Sequence, residues 1–144
     1  NKVIWKSEGH LHYQHDVDII SDNEISIFNN NVRYLSRKNV RGVDECNEII
    51  IYNFENNTYS EYLKNSLIKN NIRTNSQGLS QILPNGDLFL EETDRGRLFY
   101  FKEDGTKLWE YNNKYEDGYY HQLKWSRILY KHNDKNIVKK HFLN

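Results

Sequence analysis

Three histidines and two aspartates fall within nine residues near the start of the chain: His10, His12, His15, Asp16 and Asp18. Histidine titrates close to neutrality, so it can attack an electrophile or move a proton at physiological pH. A second group, Arg33, Arg37, Lys38 and Arg41, offers planar guanidinium forks that match tetrahedral oxyanions. His121 stands apart, after two tyrosines. A zinc centre needs three or four converging ligands at about 2 Å. If residues 10–15 are extended, alternation puts His10 and His12 on one face and His15 on the other. No HExxH-like spacing occurs either. The reading is no metal and no cofactor, with Asp16 and Asp18 capping turns or orienting donors. Each candidate has a plainer role beside the chemical one. His15 suits a hydrogen-bonded position entering a strand, and the arginine cluster suits a solvated loop. Cys46 lies in a loop with no evident histidine partner, which argues against a catalytic thiol.

The elements that must position these residues are clearest in Gln77–Tyr111. Four short strands follow one another there: Gly78–Leu83, Leu88–Leu90, Arg97–Phe101 and Lys107–Tyr111. The turns between them carry Pro84-Asn85-Gly86, Thr93-Asp94-Arg95-Gly96 and Glu103-Asp104-Gly105, each with the chemistry of a tight reversal. Such a run is what one propeller blade looks like in sequence. An earlier unit has the same plan: strands Asp16–Ile20, Ile25–Phe28, Glu48–Phe54 and Thr58–Leu63, lengthened by a basic loop, Asn29–Asn47. Gln14 aligns with Gln77 at an offset of 63 residues, without a gap across about fifteen positions, which argues for internal repetition. The expected blades are 14–63, 77–111 and 119–144, with a strand at 2–6 ending a preceding blade. The third begins at Tyr119 and finishes in a short helix, Asp134–Leu143. Trp5 and Trp109 recur at equivalent positions and read as packing between blades rather than as ligand platforms.

The 144 residues carry 20 basic and 20 acidic side chains, so no global field favours nucleic acid or an anionic membrane. One cysteine excludes an internal disulfide, and no apolar run reaches membrane-spanning length. Asparagine runs such as Asn29-Asn30-Asn31 and Asn56-Asn57 are expected at turns and given little functional weight. The chain has no methionine and opens directly on strand-like residues, so it is expected to be a fragment or a processed piece. Two blades and a remnant leave open sheet edges, which propellers protect by closing the circle. The ring, of about six blades, is expected to be completed by upstream sequence or by a second copy as a homodimer.

Gln14-His15-Asp16-Val17-Asp18 followed by Ile25-Ser26-Ile27-Phe28-Asn29-Asn30 resembles the QHD and "LFDN" strands of arylsulfotransferase-like propeller proteins. Ser76–Asp87 is similar to their next inner strand. Gly96-Arg97-Leu98-Phe99 and Asp104–Tyr111 continue into the family's "grifE…dG…vWey" pattern, and Trp125–Ile128 resembles its C-terminal end. Family enzymes move a sulfuryl group from a phenolic sulfate ester to a phenol through a sulfated histidine, without a metal. The resemblance implies that His15 is a channel histidine and that Arg33 falls where an arginine follows the LFDN strand. Two departures stand out: Gly78 occupies the position equivalent to His15 in the next blade, and Asn29 replaces an aspartate. The family's nucleophilic histidine matches no residue here.

The fold expected is all-β, a partial propeller of two to three four-stranded antiparallel blades. The function expected is a ligand-binding or interaction propeller for a small anionic or phenolic ligand. The alternatives are a sulfotransferase active only in a completed ring, and a non-catalytic scaffold. The catalytic candidates are His15 and Arg33, and the binding candidates are Asp16, Arg37, Arg41 and His121. The resemblance alone points to a secreted or periplasmic origin.

Overall fold

A computed structural model describes residues 2–3, 5–34 and 41–129. Two four-stranded antiparallel sheets account for most of it. The first contains β1 (Gln14–Ser21), β2 (Glu24–Asn29), β5 (Glu48–Asn53) and β6 (Thr58–Glu61) in that spatial order. Between β2 and β5 the chain leaves the sheet to form a separate ribbon, β3 (Val32–Tyr34) and β4 (Arg41–Val43). The second sheet is a plain meander of β7 (Leu79–Ile82), β8 (Leu88–Glu92), β9 (Arg97–Phe101) and β10 (Lys107–Asn112). Its turns close as the sequence predicts, with Gly86 N–H donating to Leu83 O (2.9 Å), Gly96 N–H to Thr93 O (3.1 Å) and Gly105 N–H to Lys102 O (2.8 Å). The all-β expectation holds.

Strand alternation sorts each sheet into two faces. In the first sheet Ile27 pairs with Ile50 and Ile25 with Tyr52, while Phe28 pairs with Ile49 on the opposite face. In the second, Leu88 pairs with Phe101 and Leu90 with Phe99. Phe28 and Ile49 meet those four residues in one buried cluster that also takes in Cys46, Leu67 and Ile72. The core therefore lies between the sheets, and a short helix, α1 (Lys64–Lys69), closes it by contributing Leu67. Ser66 Oγ at the start of α1 donates to Gly105 O (2.8 Å), and Tyr62 Oη donates to Gly86 O, so the connection clasps two turns of the second sheet.

The structure departs from the sequence reading in four places. Lys2, Val3, Trp5 and Lys6 form no strand; Trp5 packs on Tyr52 of the first sheet and on Phe54 in the turn that follows β5, with ring centroids 4.7 and 5.4 Å away. The Asn29–Asn47 insertion is not simply a loop, since β3 and β4 pair within it. No third four-stranded sheet occurs among the described residues: 119–129 contain no strand beyond the bridge Lys114–Tyr120. The fourth departure is that Asn29, Asn30 and Asn31 are buried, as is Asn47, whereas Asn56 and Asn57 do lie in an exposed turn. The helix expected at Asp134–Leu143 lies outside the described residues.

Candidate functional site

The site begins with a β-bulge. Register between β1 and β2 shifts from His15↔Phe28 to Val17↔Ile27, leaving Asp16 unpaired with φ +35°. Strict alternation would put His15 and Val17 on the same face. The bulge turns His15 to the Phe28 side, toward the second sheet, and sends Val17 outward. Asp16 is re-aimed across the gap to β7, where its Oδ2 accepts the Ser80 backbone N–H (2.9 Å). Its Oδ1 accepts from Arg127 Nη2 (3.0 Å).

His15 is held through both ring nitrogens. Nδ1 lies 2.6 Å from Asn30 Oδ1 and 3.2 Å from Tyr13 O, and Nε2 lies 3.4 Å from the Gln77 backbone nitrogen. Asn30 is fully buried, and its amide nitrogen donates to Thr74 O (3.0 Å) and Gln77 O (2.7 Å). Asn47 supports the same junction, donating to Asn30 O (2.8 Å) and Thr74 O (2.9 Å) and accepting from Thr74 N–H (2.6 Å). The buried amides thus tie the end of β2 to the segment entering β7.

The far wall comes from a segment that runs along β7 and β8. Ser126 N–H donates to Glu91 Oε2 (2.8 Å), and Thr93 Oγ1 donates to Glu91 Oε1 (3.0 Å), so this buried carboxylate is satisfied on both oxygens. Ile128 N–H donates to Gln81 Oε1 (2.9 Å). Together these elements enclose a cleft of roughly 440 Å³, with His15, Asp16, Gly78, Glu91, Lys124 and Trp125 in its walls. Trp125 supplies an exposed indole, and Lys124 supplies an ammonium with no ion-pair partner among the described residues. Chemically the cleft offers an aromatic surface, one ammonium, an imidazole and two carboxylates already occupied by donors. Beside it, burial pushes the Asp18 carboxyl above the ordinary aspartate value; the neighbouring Asp16 adds to this and Arg127 opposes it.

The remaining candidates are elsewhere. Arg33 lies on β3, where its Nε donates to Asn31 Oδ1 (3.0 Å) and sits 3.7 Å from Asp44 Oδ2. It lines a different pocket, with His10, Glu48, Tyr59 and Glu61, and does not meet His15 in the cleft. His10 stacks on Tyr59 there, with centroids 4.4 Å apart. Arg41 enters β4 through its backbone, opposite Tyr34. Arg37 lies outside the described residues. His121 packs edge-on against Tyr115, its backbone bonded to Asn113, and is not in the cleft wall. Burial, with Glu45 and Glu48 adding, pushes the Cys46 thiol up to about 11, so it is protonated and inert at neutral pH. No cluster of metal-ligating side chains occurs among the described residues.

Sequence reasoning missed Asn30, Glu91, Lys124 and Trp125. A polar residue in the "LFDN" segment facing a histidine was the available signal for Asn30. Nothing local marked Glu91 or Lys124, whose roles depend on where the chain returns.

The family profile for arylsulfotransferase (ASST) matches residues 1–114. That span includes both sheets and the His15, Asp16, Gly78 and Glu91 walls, and ends before Lys124 and Trp125. No curated protein and no solved structure matches the chain.

Proposed function

Because the chain belongs to the arylsulfotransferase (ASST) family, we propose that its two sheets are propeller blades and that the cleft at their rim binds a small anionic or phenolic ligand. The observation that carries this reading is the convergence of His15, Lys124 and Trp125 on one cleft. Trp125 suits an aryl ring, Lys124 suits a sulfate or phenolate oxygen, and His15 suits a hydroxyl. The outer faces of the sheets support the ring. Val17 and Ile19 are apolar yet 56% and 84% exposed, and Trp109 and Tyr111 are half-exposed on the far side. Further blades, from upstream sequence or from a second copy, would cover both faces.

A second reading, sulfuryl transfer in the completed ring, is favoured by one feature: among the described residues His15 is the histidine in the cleft wall. In that reaction a histidine nitrogen bonds to sulfur as the S–O(aryl) bond breaks, and the phenolate leaves with a proton. The acceptor phenol's oxygen then takes the sulfuryl group, frees the nitrogen and gives up its own proton. His15 would serve as one of the channel imidazoles. Its counterpart on the second sheet, Gly78, cannot serve.

The test is a tryptophan-fluorescence titration with 4-nitrophenyl sulfate and with 4-nitrophenol, run beside an assay for released 4-nitrophenolate. Saturable binding without turnover, weakened in Lys124→Ala and His15→Ala, supports the binding reading. Turnover that His15→Ala abolishes favours the transferase. No saturable binding of either probe would refute the binding reading.

A further inference from the structure

We propose that Asn30 is a positioning residue for His15: it fixes the imidazole as the Nδ1–H tautomer and leaves the Nε2 lone pair as an acceptor at the cleft. The significance for ligands rests on the cleft reading above; the tautomer itself does not.

The hydrogen bonds leave one consistent assignment. Asn30's amide group faces two backbone carbonyls, Thr74 O and Gln77 O, at 3.0 and 2.7 Å. Carbonyl oxygens only accept, so this end must be the NH2, and the end toward His15 must be Oδ1. An amide oxygen also only accepts, so the 2.6 Å contact requires a proton on His15 Nδ1. Tyr13 O, a second acceptor at 3.2 Å from the same nitrogen, agrees. At the other end of the ring Gln77 N–H points at Nε2 over 3.4 Å, and a donor there requires an unprotonated nitrogen. Asn30 is 0% exposed and Asn47 braces its backbone carbonyl, so water does not compete for Oδ1.

The consequence is selectivity for a hydroxyl. In the neutral ring the Nε2 lone pair receives only a long bond from Gln77, which a ligand O–H can displace. A phenol donates to it, and an aryl ether of the same shape cannot. Lys124 is then left for the anionic end of a ligand. The cleft accordingly prefers a free phenol over its methyl ether, by about three- to tenfold for one neutral hydrogen bond.

The experiment is a long-range proton–nitrogen correlation spectrum of the full chain labelled with ¹⁵N-histidine, at alkaline pH where imidazoles are neutral. His15→Asn assigns the signals. The expected wild-type result is a protonated Nδ1 and a bare Nε2 for His15. Asn30→Leu should shift the ring toward a tautomer mixture and erase the preference for 4-methylphenol, whose hydroxyl keeps its proton up to about pH 10, over 4-methylanisole. Asn47→Leu disturbs the same junction without touching the imidazole and should leave the tautomer unchanged. A wild-type His15 protonated at Nε2 would overturn the inference without any variant, as would an Asn30→Leu spectrum identical to wild type. Binding of neither phenol nor ether, with the tautomer as expected, would fault the ligand reading and leave the role of Asn30 standing.

Discussion

The two sheets share a frame and differ in what they hang on it. Advancing 63 residues takes β2 onto β8, so Asn29 corresponds to Glu92 and Asn30 to Thr93. In the first sheet Asn29 Nδ2 donates to Glu48, the residue opposite it on β5 (2.7 Å). In the second, Glu92 accepts from Arg97, the residue opposite it on β9. One junction is a neutral amide on a carboxylate, the other a fully buried carboxylate on a guanidinium, with Arg73 N–H as a further donor. At the strand entry the contrast is sharper. The first sheet has His15, locked by Asn30 and facing the cleft; the second has Gly78. A Cβ at Gly78 would lie 2.7 and 2.8 Å from the Phe28 ring and 2.9 Å from Thr74 Cγ2, at φ +92°. Phe28 thus packs where a second histidine would stand. The seam between the sheets thus leaves an imidazole at the strand entry of one sheet and no room for one at the other.

Breaking the charged junction should have the largest effect. Arg97→Met removes the guanidinium bonded to the buried Glu92 carboxylate, leaving it only the Arg73 N–H and Arg95 at 3.8 Å, and should cost about 3 kcal/mol in urea denaturation. Gly78→His, the direct attempt to equalise the sheets, should cost about 3 kcal/mol through overpacking and a left-handed backbone. Stability unchanged in Gly78→His would mean that packing is not what keeps histidine out. Asn29→Ala, the neutral counterpart of the Arg97 change, should cost less, about 1–3 kcal/mol.

The turns and strand alternation were legible because both are local. Pro84-Asn85-Gly86 and the flanking apolar residues define a reversal wherever they occur, and four of the strands in each sheet followed. His15 and Asp16 were legible as candidates, but the bulge that separates them was not, since an extra residue in a strand leaves no mark on composition. The Asn29-Asn30-Asn31 run was misjudged for a related reason. Asn30 looks like a turn residue, and its burial, like that of Asn47, appears only when the segment entering the second sheet brings Thr74 and Gln77 to the junction. The Trp5 segment and residues 119–129 carry strand-like side chains, yet among the described residues neither finds a strand partner to pair with. Arg33 fell to the same limit: the family resemblance placed it with the histidine, and the β3–β4 ribbon carried it to another pocket.

A smaller contrast is in pH response. In the second sheet the Thr106 backbone and hydroxyl hold Asp104 below the ordinary aspartate value. Desolvation pushes Asp87 up, but hydrogen bonds from Tyr100, Asn85 and the Glu103 backbone outweigh it and hold that carboxyl low as well. Their stabilisation is present above the ordinary aspartate pKa and is lost as pH falls through the depressed values. Asp18 in the first sheet has the opposite sign: its raised pKa favours the fold when protonated and weakens it as pH rises. Asp18→Asn should therefore increase stability at neutral pH and leave it unchanged below the ordinary aspartate range. Asp104→Asn should decrease it at neutral pH. Thermal melts at acid and neutral pH read both.

The most direct test of the account is an NMR titration of 4-nitrophenol into the chain, following the imidazole signals of His10, His15 and His121 and the Trp125 indole. The account predicts that His15 and Trp125 shift together, with a common saturation midpoint, while His10 and His121 stay fixed. A shift at His10 with His15 silent would put the ligand in the Arg33 pocket and contradict the assignment of the site to the rim between the sheets.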